Sequence, residues 1–264
     1  MRLRQEPPLS WRVLLGVACI GMLLLIWYIL TAGGASENRI MNAQTLPSIG
    51  EVFGSLPGLV SERNLFESIA ASLTRVFIGF GLAVLVGVPM GMLAGAWRPF
   101  NAYWAPLVMF GRSVPIAALI PLTMMWFGLG EFQKFMFIYI ACVPFIFSGA
   151  AASVASIHER YVETGQTLGA SSGQIFRKVL VPLAMPTIYT QLRQLFGLAF
   201  GYIMLAELVN AQRGLGSLIQ TSQKRSRPED ILMILIIIVV IAFLIDRILA
   251  FFQKGLFPYK QGGK

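Results

Sequence analysis

Among the charged side chains within or near apolar stretches of the sequence, three are the candidates for chemistry. They are Arg112, Arg193 and Glu207. An ionised group is costly in an apolar surrounding, so it usually marks a solute path or a buried ion pair. Pro115 and Pro121 follow Arg112, and proline frees backbone groups that can line a cavity. The sequence therefore predicts a solute pathway with these five residues as its candidates.

Each of these charges also has a purely structural explanation, which the sequence leaves open. The long side chains of Arg112 and Arg193 can carry their charges to a membrane surface. Glu207 can cap or brace the loop that follows it. Arg193 and Glu207 cannot pair with each other within one helix, because their spacing corresponds to about 21 Å along the axis.

The sequence does not supply the groups of an enzyme site. The single histidine, His158, cannot build a metal site or a histidine-based triad alone. Cys19 and Cys142 lie in different apolar runs, without a partner at metal-ligand spacing. No G-x-x-x-x-G-K-[ST] phosphate loop occurs, so we do not expect ATP hydrolysis in this chain. We predict no catalytic residue, no metal site and no cofactor here.

The composition is typical of a membrane protein. Of the 264 residues, 56% are hydrophobic and 12% are charged, whereas about 25% are charged in a soluble domain. The net charge is +9, but the basic residues sit at the ends of apolar runs, as they do in proteins anchored at membrane interfaces. No basic stripe with interleaved aromatic residues is present, so we do not expect nucleic-acid binding.

Six apolar runs are long enough to cross a bilayer as helices, which takes about 20 residues. Because a spanning helix satisfies its own backbone hydrogen bonds, we predict an all-α, polytopic membrane protein. Six spans place both termini on one side, and Arg2, Arg4 and Arg12 indicate the cytoplasm. The first run also resembles a signal peptide, but its length and Trp27 and Tyr28 favour a retained helix. The predicted spans are Val13–Leu30, Ile69–Ala96, Tyr103–Gly128, 135–157, Val181–Leu205 and Ile231–Phe252.

Glycines in the second span predict how it packs. Gly87, Gly91 and Gly95 recur every four residues and so share one helix face, where small residues let a neighbouring helix approach closely. The predicted organisation has three parts. These are a tail, first span and external segment at 1–64, a transmembrane domain of five helices at 65–254, and a cytoplasmic tail at 255–264.

A basic cluster precedes the last span, at Lys224, Arg225 and Arg227. Such a cluster can attract an anion or the acidic rim of a partner protein. It can equally be a solvated loop whose charge is offset by Glu229 and Asp230. The sequence leaves both explanations open.

The polar segment at 158–186 has a pattern of its own. Glu163 is followed six residues later by Gly169, and a hydrophobic-proline sequence ends at Pro182. Glycine permits a sharp turn, so we predict two short helices around Gly169, with Ile175 and Phe176 offering an apolar contact to another subunit. The segment resembles the EAA loop of ABC importer permeases, although Thr164 and Gly165 replace its two alanines. The resemblance assigns ATPase coupling to Glu163, Gly165, Leu168, Gly169, Ala170, Ile175, Phe176 and Pro182.

A second resemblance narrows the family. The stretch from Arg112 to Glu131 contains R-S-V-P, I-P-L and W-F-G-L-G-E, and residues 206–216 contain A-E-L-V and R-G-L-G. Both are similar to permeases of the nitrate/sulfonate/taurine type, with Ser113 where the family usually has proline. The resemblance extends over most of 65–253. Its motifs are specific for the family and not for the solute.

The resemblance implies a type I ABC importer (MetI-like) transmembrane fold in a bacterial inner membrane. Two copies of the chain, or one copy and a homologous permease, would line one pathway. Two cytoplasmic ATPase subunits, which hold ATP and Mg, would bind the coupling loops, and an external solute-binding protein would deliver the solute. That solute is expected to be a small anion such as nitrate, bicarbonate, a sulfonate or an organic acid.

The alternative function is a secondary transporter that works without an ATPase. Such transporters are built from internal repeats with interrupted helices in both halves, and no convincing repeat is evident. A membrane enzyme would need a cluster of titratable groups at depth, and a passive channel subunit would leave the coupling pattern unused. The importer permease is therefore the favoured interpretation.

Overall fold

Helices make up the regular secondary structure of the described residues. The computed structural model describes residues 8–33 and 39–258, and no strand occurs among them, so the predicted all-α fold is confirmed. Arg2, Arg4, residues 34–38 and the tail from 259 lie outside the described residues. The α-helices are α1 Leu9–Thr31, α2 Ile49–Gly54, α3 Leu56–Ser61, α4 Leu65–Ala96, α5 Arg98–Ser113, α6 Leu119–Phe127, α7 Glu131–Ala155, α8 Arg160–Thr167, α9 Ser172–Ile175, α10 Val181–Asn210, α11 Leu215–Lys224 and α12 Pro228–Leu256.

Five helical stretches are long and apolar enough to cross a membrane. A sixth candidate is the pair Arg98–Ser113 and Ile116–Phe127, whose axes are bent by 89°. The predicted count of six spans holds when this pair is taken as one span. The five single stretches are Ser10–Thr31, Leu65–Ala96, Glu131–Ala155, Ser172–Val209 and Pro228–Leu256.

The third span is expected from Tyr103 to Gly128 with interruptions at Arg112, Pro115 and Pro121, and the structure confirms a break at Pro115. Val114 is extended, with ψ of 128°, and ends α5. It precedes Pro115, whose ring disfavours the helical conformation in the residue before it. Pro121 lies in the first turn of α6, where backbone amides lack a helical partner in any case, so it does not interrupt that helix.

The chain divides into two compact units. One consists of the described residues up to Leu65 with Ile219–Ile236, and the other of Phe66–Leu218 with the described residues from Ile237. The domain boundaries at 64 and 254 stay predictions, and the first unit takes in residues that they place in the transmembrane domain. Within the first unit, Arg63 Nη1 lies 2.6 Å from Asp230 Oδ2, so this acid pairs with an arginine outside the basic cluster.

In the second unit, α4 and α7 pack closely along the glycine face. A Cβ atom added to Gly87 would lie 2.8 Å from Ile146 Cγ2, and one added to Gly95 would lie 2.7 Å from Val154 Cβ. A Cβ at Gly91 would collide with the backbone carbonyl of Phe147. Only residues without a side chain allow this approach, so the predicted packing role of the three glycines is confirmed.

The segment after α9 ties the polar loop to the spans. Residues Phe176–Leu180 form a short π-helix that leads directly into α10. Phe176 and Leu180 pack against a buried apolar cluster contributed by α4, α7 and α10. This packing fixes the base of the loop to three spans. The cluster consists of Met92, Ala150, Val154, Ala184 and Ile188.

Candidate functional site

Helices α8 and α9 form a tight hairpin around Gly169, which has φ of +76°. The Gly169 amide donates to the Gln166 carbonyl at 2.9 Å, and the Ala170 amide donates to the Gly165 carbonyl at 3.0 Å. These two bonds define a Schellman motif, which closes the C-terminus of α8 and needs a left-handed residue at this position. A capping box between Ser171 and Gln174 then starts α9. The predicted turn between two short helices is confirmed.

The hairpin presents a different surface from the one expected. Leu168, at its tip, is 81% exposed, whereas Ile175 is only 5% exposed. Ile175 packs inward against Gly165, where an added Cβ would lie 3.0 Å from Ile175 Cγ1. Phe176 is half-buried, and its ring packs at a tilt against Trp97, with centroids 4.9 Å apart. The expected apolar contact through Ile175 is therefore wrong, because that side chain holds the hairpin together.

The remaining residues assigned to the coupling loop divide by position. Glu163 is exposed on α8, and Pro182 is exposed at the start of α10. Gly165 is buried and Ala170 is half-buried inside the turn. Their role in coupling stays a prediction.

A network of charges lies at the end of the spans remote from the hairpin, with Arg75 of α4 at its centre. Arg75 Nη1 donates to Glu207 Oε1 at 2.6 Å and to the Arg213 carbonyl at 2.6 Å. Its Nε and Nη2 atoms donate to Glu131 at 2.5 and 2.7 Å. Lys134 Nζ adds a bond to Glu131 at 2.8 Å. This Arg75 network joins α4, α7, α10 and the turn after α10.

Glu207 is fully enclosed in the Arg75 network. Besides Arg75, its carboxylate accepts from Ser72 Oγ at 2.8 Å and from the Gly216 amide at 2.9 Å. Gly216 is needed here because an added Cβ would lie 2.6 Å from Glu207 Cβ. Buried carboxylates are tolerated only when paired and hydrogen-bonded, and this one is. The bond to Gly216 braces the following loop; a place for Glu207 in the pathway stays a prediction.

The Arg75 network explains why residues of the two family motifs, at 112–131 and 206–216, occur together in this chain. Glu131, Glu207, Gly214 and Gly216 belong to motifs far apart in the chain, and they meet around one guanidinium. The sequence patterns did not single out Arg75. The available signal was an arginine inside an apolar run, where an unpaired charge is costly.

Arg193 joins α10 to α12. Its Nη2 atom lies 2.8 Å from Asp246 Oδ1, and its Nη1 atom donates to Gln253 Oε1 at 2.8 Å. Gln253 in turn donates to Thr190 Oγ1 at 2.7 Å. Asp246 is thereby paired across two helices. A place for Arg193 in the pathway stays a prediction.

A cavity of about 910 Å³ lies alongside α5 and α7. It extends from Glu159 and Val162, at the hairpin, to Arg112 and Phe145. Phe145 is about 15 Å along α7 from its end at Ala155, so the cavity reaches the middle of that span. Pro115 and Pro121 are exposed and are not among the described residues that line this cavity.

Arg112 lies in the wall of this cavity, which we call the Arg112 cavity. Its side chain has no acidic partner among the described residues. Its guanidinium lies 5.6 Å from the centre of the Phe145 ring. Placing arginine at the middle of a bilayer costs about 2.5–3.5 kcal/mol on insertion scales. An exposed cation–π contact returns about 0.5–1 kcal/mol, and a place in the last turn of a helix about 0.3–1 kcal/mol. These contacts offset only part of that cost, and the guanidinium also borders the open cavity.

Metal chemistry has no support in the described part of the chain. No group of three histidine, cysteine or acidic side chains there is arranged to hold a metal ion. The ionisable groups described above serve either as links between helices or, at Arg112, as the lining of a cavity.

Comparison with known proteins agrees with this architecture. Residues 87–258 match the family described as "Binding-protein-dependent transport system inner membrane component". The inward-facing MetNI methionine ABC transporter contains a chain with a TM-score of 0.61 to this one. The two share 23% identity, over 72% of this chain and 98% of that one. This likeness shows the type I importer fold.

Two curated relatives are similar over nearly their whole length. The taurine transport system permease protein TauC of Escherichia coli (strain K12) is 32% identical over 98% of this chain and 94% of its own. The bicarbonate transport system permease protein CmpB of Synechococcus elongatus is 31% identical over 93% of this chain and 91% of its own. The chain therefore belongs to the inner-membrane components of binding-protein-dependent transport systems, and it is a permease subunit of an ABC importer.

Proposed function

We propose that the hairpin at 160–175 is the element through which this permease couples to a cytoplasmic ATPase. The observation that carries this is the closed turn at Gly169, which holds Leu168 out at the tip with 81% of its surface exposed. A short, rigid hairpin with an apolar tip suits insertion into a cleft of a partner, because little conformational freedom is lost on binding. Glu163, on α8, is exposed as well.

The remaining coupling residues transmit movement rather than make contact. Gly165, Gly169, Ala170 and Ile175 shape the hairpin, and the segment from Phe176 to Pro182 joins it to α10. Because Phe176 and Leu180 pack on the buried cluster of three spans, a displacement of the hairpin moves those spans. ATP and Mg are held by the partner in this proposal, and this chain contributes no catalytic residue or cofactor.

The working assembly in this proposal has two permease copies, two ATPases and an external solute-binding protein. The hairpin and both termini face the cytoplasm of a bacterial cell, with residues 65–254 as the transmembrane domain. The Arg75 network then lies towards the outside, where it braces the end of the spans nearest the binding protein. The inner-membrane family to which the chain belongs supports this arrangement.

The solute in this proposal is a small anion. The names of the two relatives specify bicarbonate, which is an anion, and taurine, a zwitterion whose sulfonate is its negatively charged group. The favourable setting for an anion in this chain is the Arg112 cavity, because its arginine has no carboxylate partner among the described residues.

Coupling to the ATPase is tested with the variant Leu168→Asp. The permease is co-expressed with its partner ATPase, and the amount of ATPase that co-purifies is measured. The charge on an exposed side chain leaves the fold intact but opposes an apolar contact, so we expect at least a tenfold loss of co-purified ATPase. Leu129→Asp is the matched control, since Leu129 is 74% exposed and lies beyond the other end of α7. Equal recovery of the ATPase with both variants would contradict the proposal.

A further inference from the structure

The Arg112 cavity has the features of a built anion site at mid-depth in the membrane. Gly111 allows α5 to approach α7 so closely that an added Cβ would lie 2.7 Å from Pro144 Cγ. The next residue on each helix, Arg112 and Phe145, then face each other, with the guanidinium 5.6 Å from the ring centre. The position of the charge is therefore fixed by backbone packing rather than by an acid.

Other arginines in or beside the described spans differ from Arg112 in their partners. Arg63 pairs with Asp230, Arg75 with Glu131 and Glu207, and Arg193 with Asp246. Arg112 has an aromatic ring and the open cavity instead. An ionisable residue that is kept at membrane depth facing a cavity marks a solute path.

The charge and polarity of the cavity wall select the sign of the ligand. Its charged residues are Arg98, Arg112 and Glu159, with Glu159 at the hairpin end. The deep part of the wall is therefore positive. Ser113 and Ser148 also line the wall, but their hydroxyls donate to the Met109 and Phe145 carbonyls, so Arg112 is the donor that remains for an oxyanion. The guanidinium fork matches two oxygens of a planar or tetrahedral oxyanion better than a single spherical charge.

We propose that Arg112 is the residue that selects for anions in this permease, by binding the oxyanion group of the solute at mid-span. The ligand class is a small oxyanion with one negative charge, either carboxylate, bicarbonate, nitrate or sulfonate. The inference rests on the proposed anion import and adds the residue that recognises the charge. The water of the cavity compensates Arg112 until the solute replaces it.

The electrostatic part is tested without solute, by thiol modification in the full transporter complex held in nanodiscs. Ser148→Cys is introduced after Cys19 and Cys142 have been replaced by alanine. The rates with anionic sulfonatoethyl and cationic trimethylammonioethyl methanethiosulfonate are compared. Adding Arg112→Gln should lower the anionic-to-cationic rate ratio about tenfold, because a unit charge in the wall of the same partly wet cavity is removed.

Arg247→Gln is the matched control for the same measurement. Arg247 makes the same type of contact, with its guanidinium 4.9 Å from the Phe243 ring centre, but it does not line the cavity. We expect its ratio to stay within twofold of the parent, and that of Arg112→Lys to stay near the parent as well. An unchanged ratio in Arg112→Gln would overturn the proposal, and so would an introduced thiol at position 148 that neither reagent reaches.

The transport part uses the same variants with taurine, nitrate and bicarbonate as probes, each with the binding protein present. We expect Arg112→Gln to lose at least tenfold in uptake of the imported anion, with Arg112→Lys less affected and Arg247→Gln unaffected. If the parent imports an anion and Arg112→Gln imports it equally well, Arg112 does not select it and the proposed function stands. If the parent imports none of the three probes, import of these solutes is wrong, and the role of Arg112 in selecting them falls with it.

Discussion

Two arginines within the apolar helices of the second unit are accommodated in opposite ways. The Arg75 side chain is 4% exposed and donates to two carboxylates and a carbonyl. Arg112 is exposed to a cavity and contacts one aromatic ring. A charge in an apolar run is therefore not by itself a sign of a solute path. The groups that surround it decide whether it ties helices together or faces a solute.

The largest effect is expected in the Arg75 network. Glu207→Gln should lower the free energy of unfolding by about 3–5 kcal/mol, because breaking a buried pair leaves its partner charge uncompensated. Thermal unfolding of the purified permease in one detergent measures this. Glu67→Gln is the control, since Glu67 pairs with Arg213 in a half-exposed position and such pairs contribute up to about 1 kcal/mol. Similar losses of stability in the two variants would contradict this prediction, because the buried ion pair would then contribute no more than the half-exposed one.

A smaller effect is expected where the turn after α10 touches Glu207. Gly216→Ala should lower the free energy of unfolding by about 1–3 kcal/mol, because the new Cβ would lie 2.8 Å from the Met204 carbonyl oxygen as well as against Glu207. Gly201→Ala, within α10, would place its Cβ with nothing within 4 Å and should be neutral or stabilising by up to about 1 kcal/mol. The melting temperatures of the two variants, compared directly, check this order. The reverse order would contradict the packing described here.

The smallest effect on stability is expected at Arg112. Arg112→Gln should change the free energy of unfolding by less than about 1 kcal/mol, because it leaves no carboxylate unpaired. Arg75→Gln, measured beside it, should lose about 3–5 kcal/mol. If both variants melted at the same low temperature, the proposed difference between Arg75, which links helices, and Arg112, which borders a cavity, would be wrong.

The hairpin was predictable from the sequence because it is made of local bonds. Gly169 supplies the left-handed turn, and the bonds that close it span only three and five residues. The same holds for the face formed by Gly87, Gly91 and Gly95, since a repeat of four residues lies on one side of any helix. Side-chain direction within the hairpin was not predictable: Ile175 faces Gly165, which depends on how α9 folds back on α8.

The partners of the charged residues could not be predicted, because they are brought together over long sequence separations. Arg75 meets Glu131 and Glu207 at separations of 56 and 132 residues, and Arg193 meets Asp246 at 53. An apolar run with one arginine has the same pattern whether or not an acid lies on a neighbouring helix. Proline chemistry predicts that the helix breaks at Pro115, but it does not predict the angle of the bend, which is 89°.

By itself, the sequence determined that this chain is a helical membrane protein with a glycine-turned polar hairpin, since apolar length, helix periodicity and turn chemistry are local properties. Its motifs also indicated the importer family. Only the tertiary structure decided that Glu207 and Arg193 are paired and that Arg112 borders a cavity. The physical reason is that the free energy of a charge in a low-dielectric interior depends on the groups within a few ångströms, and helix packing sets those groups.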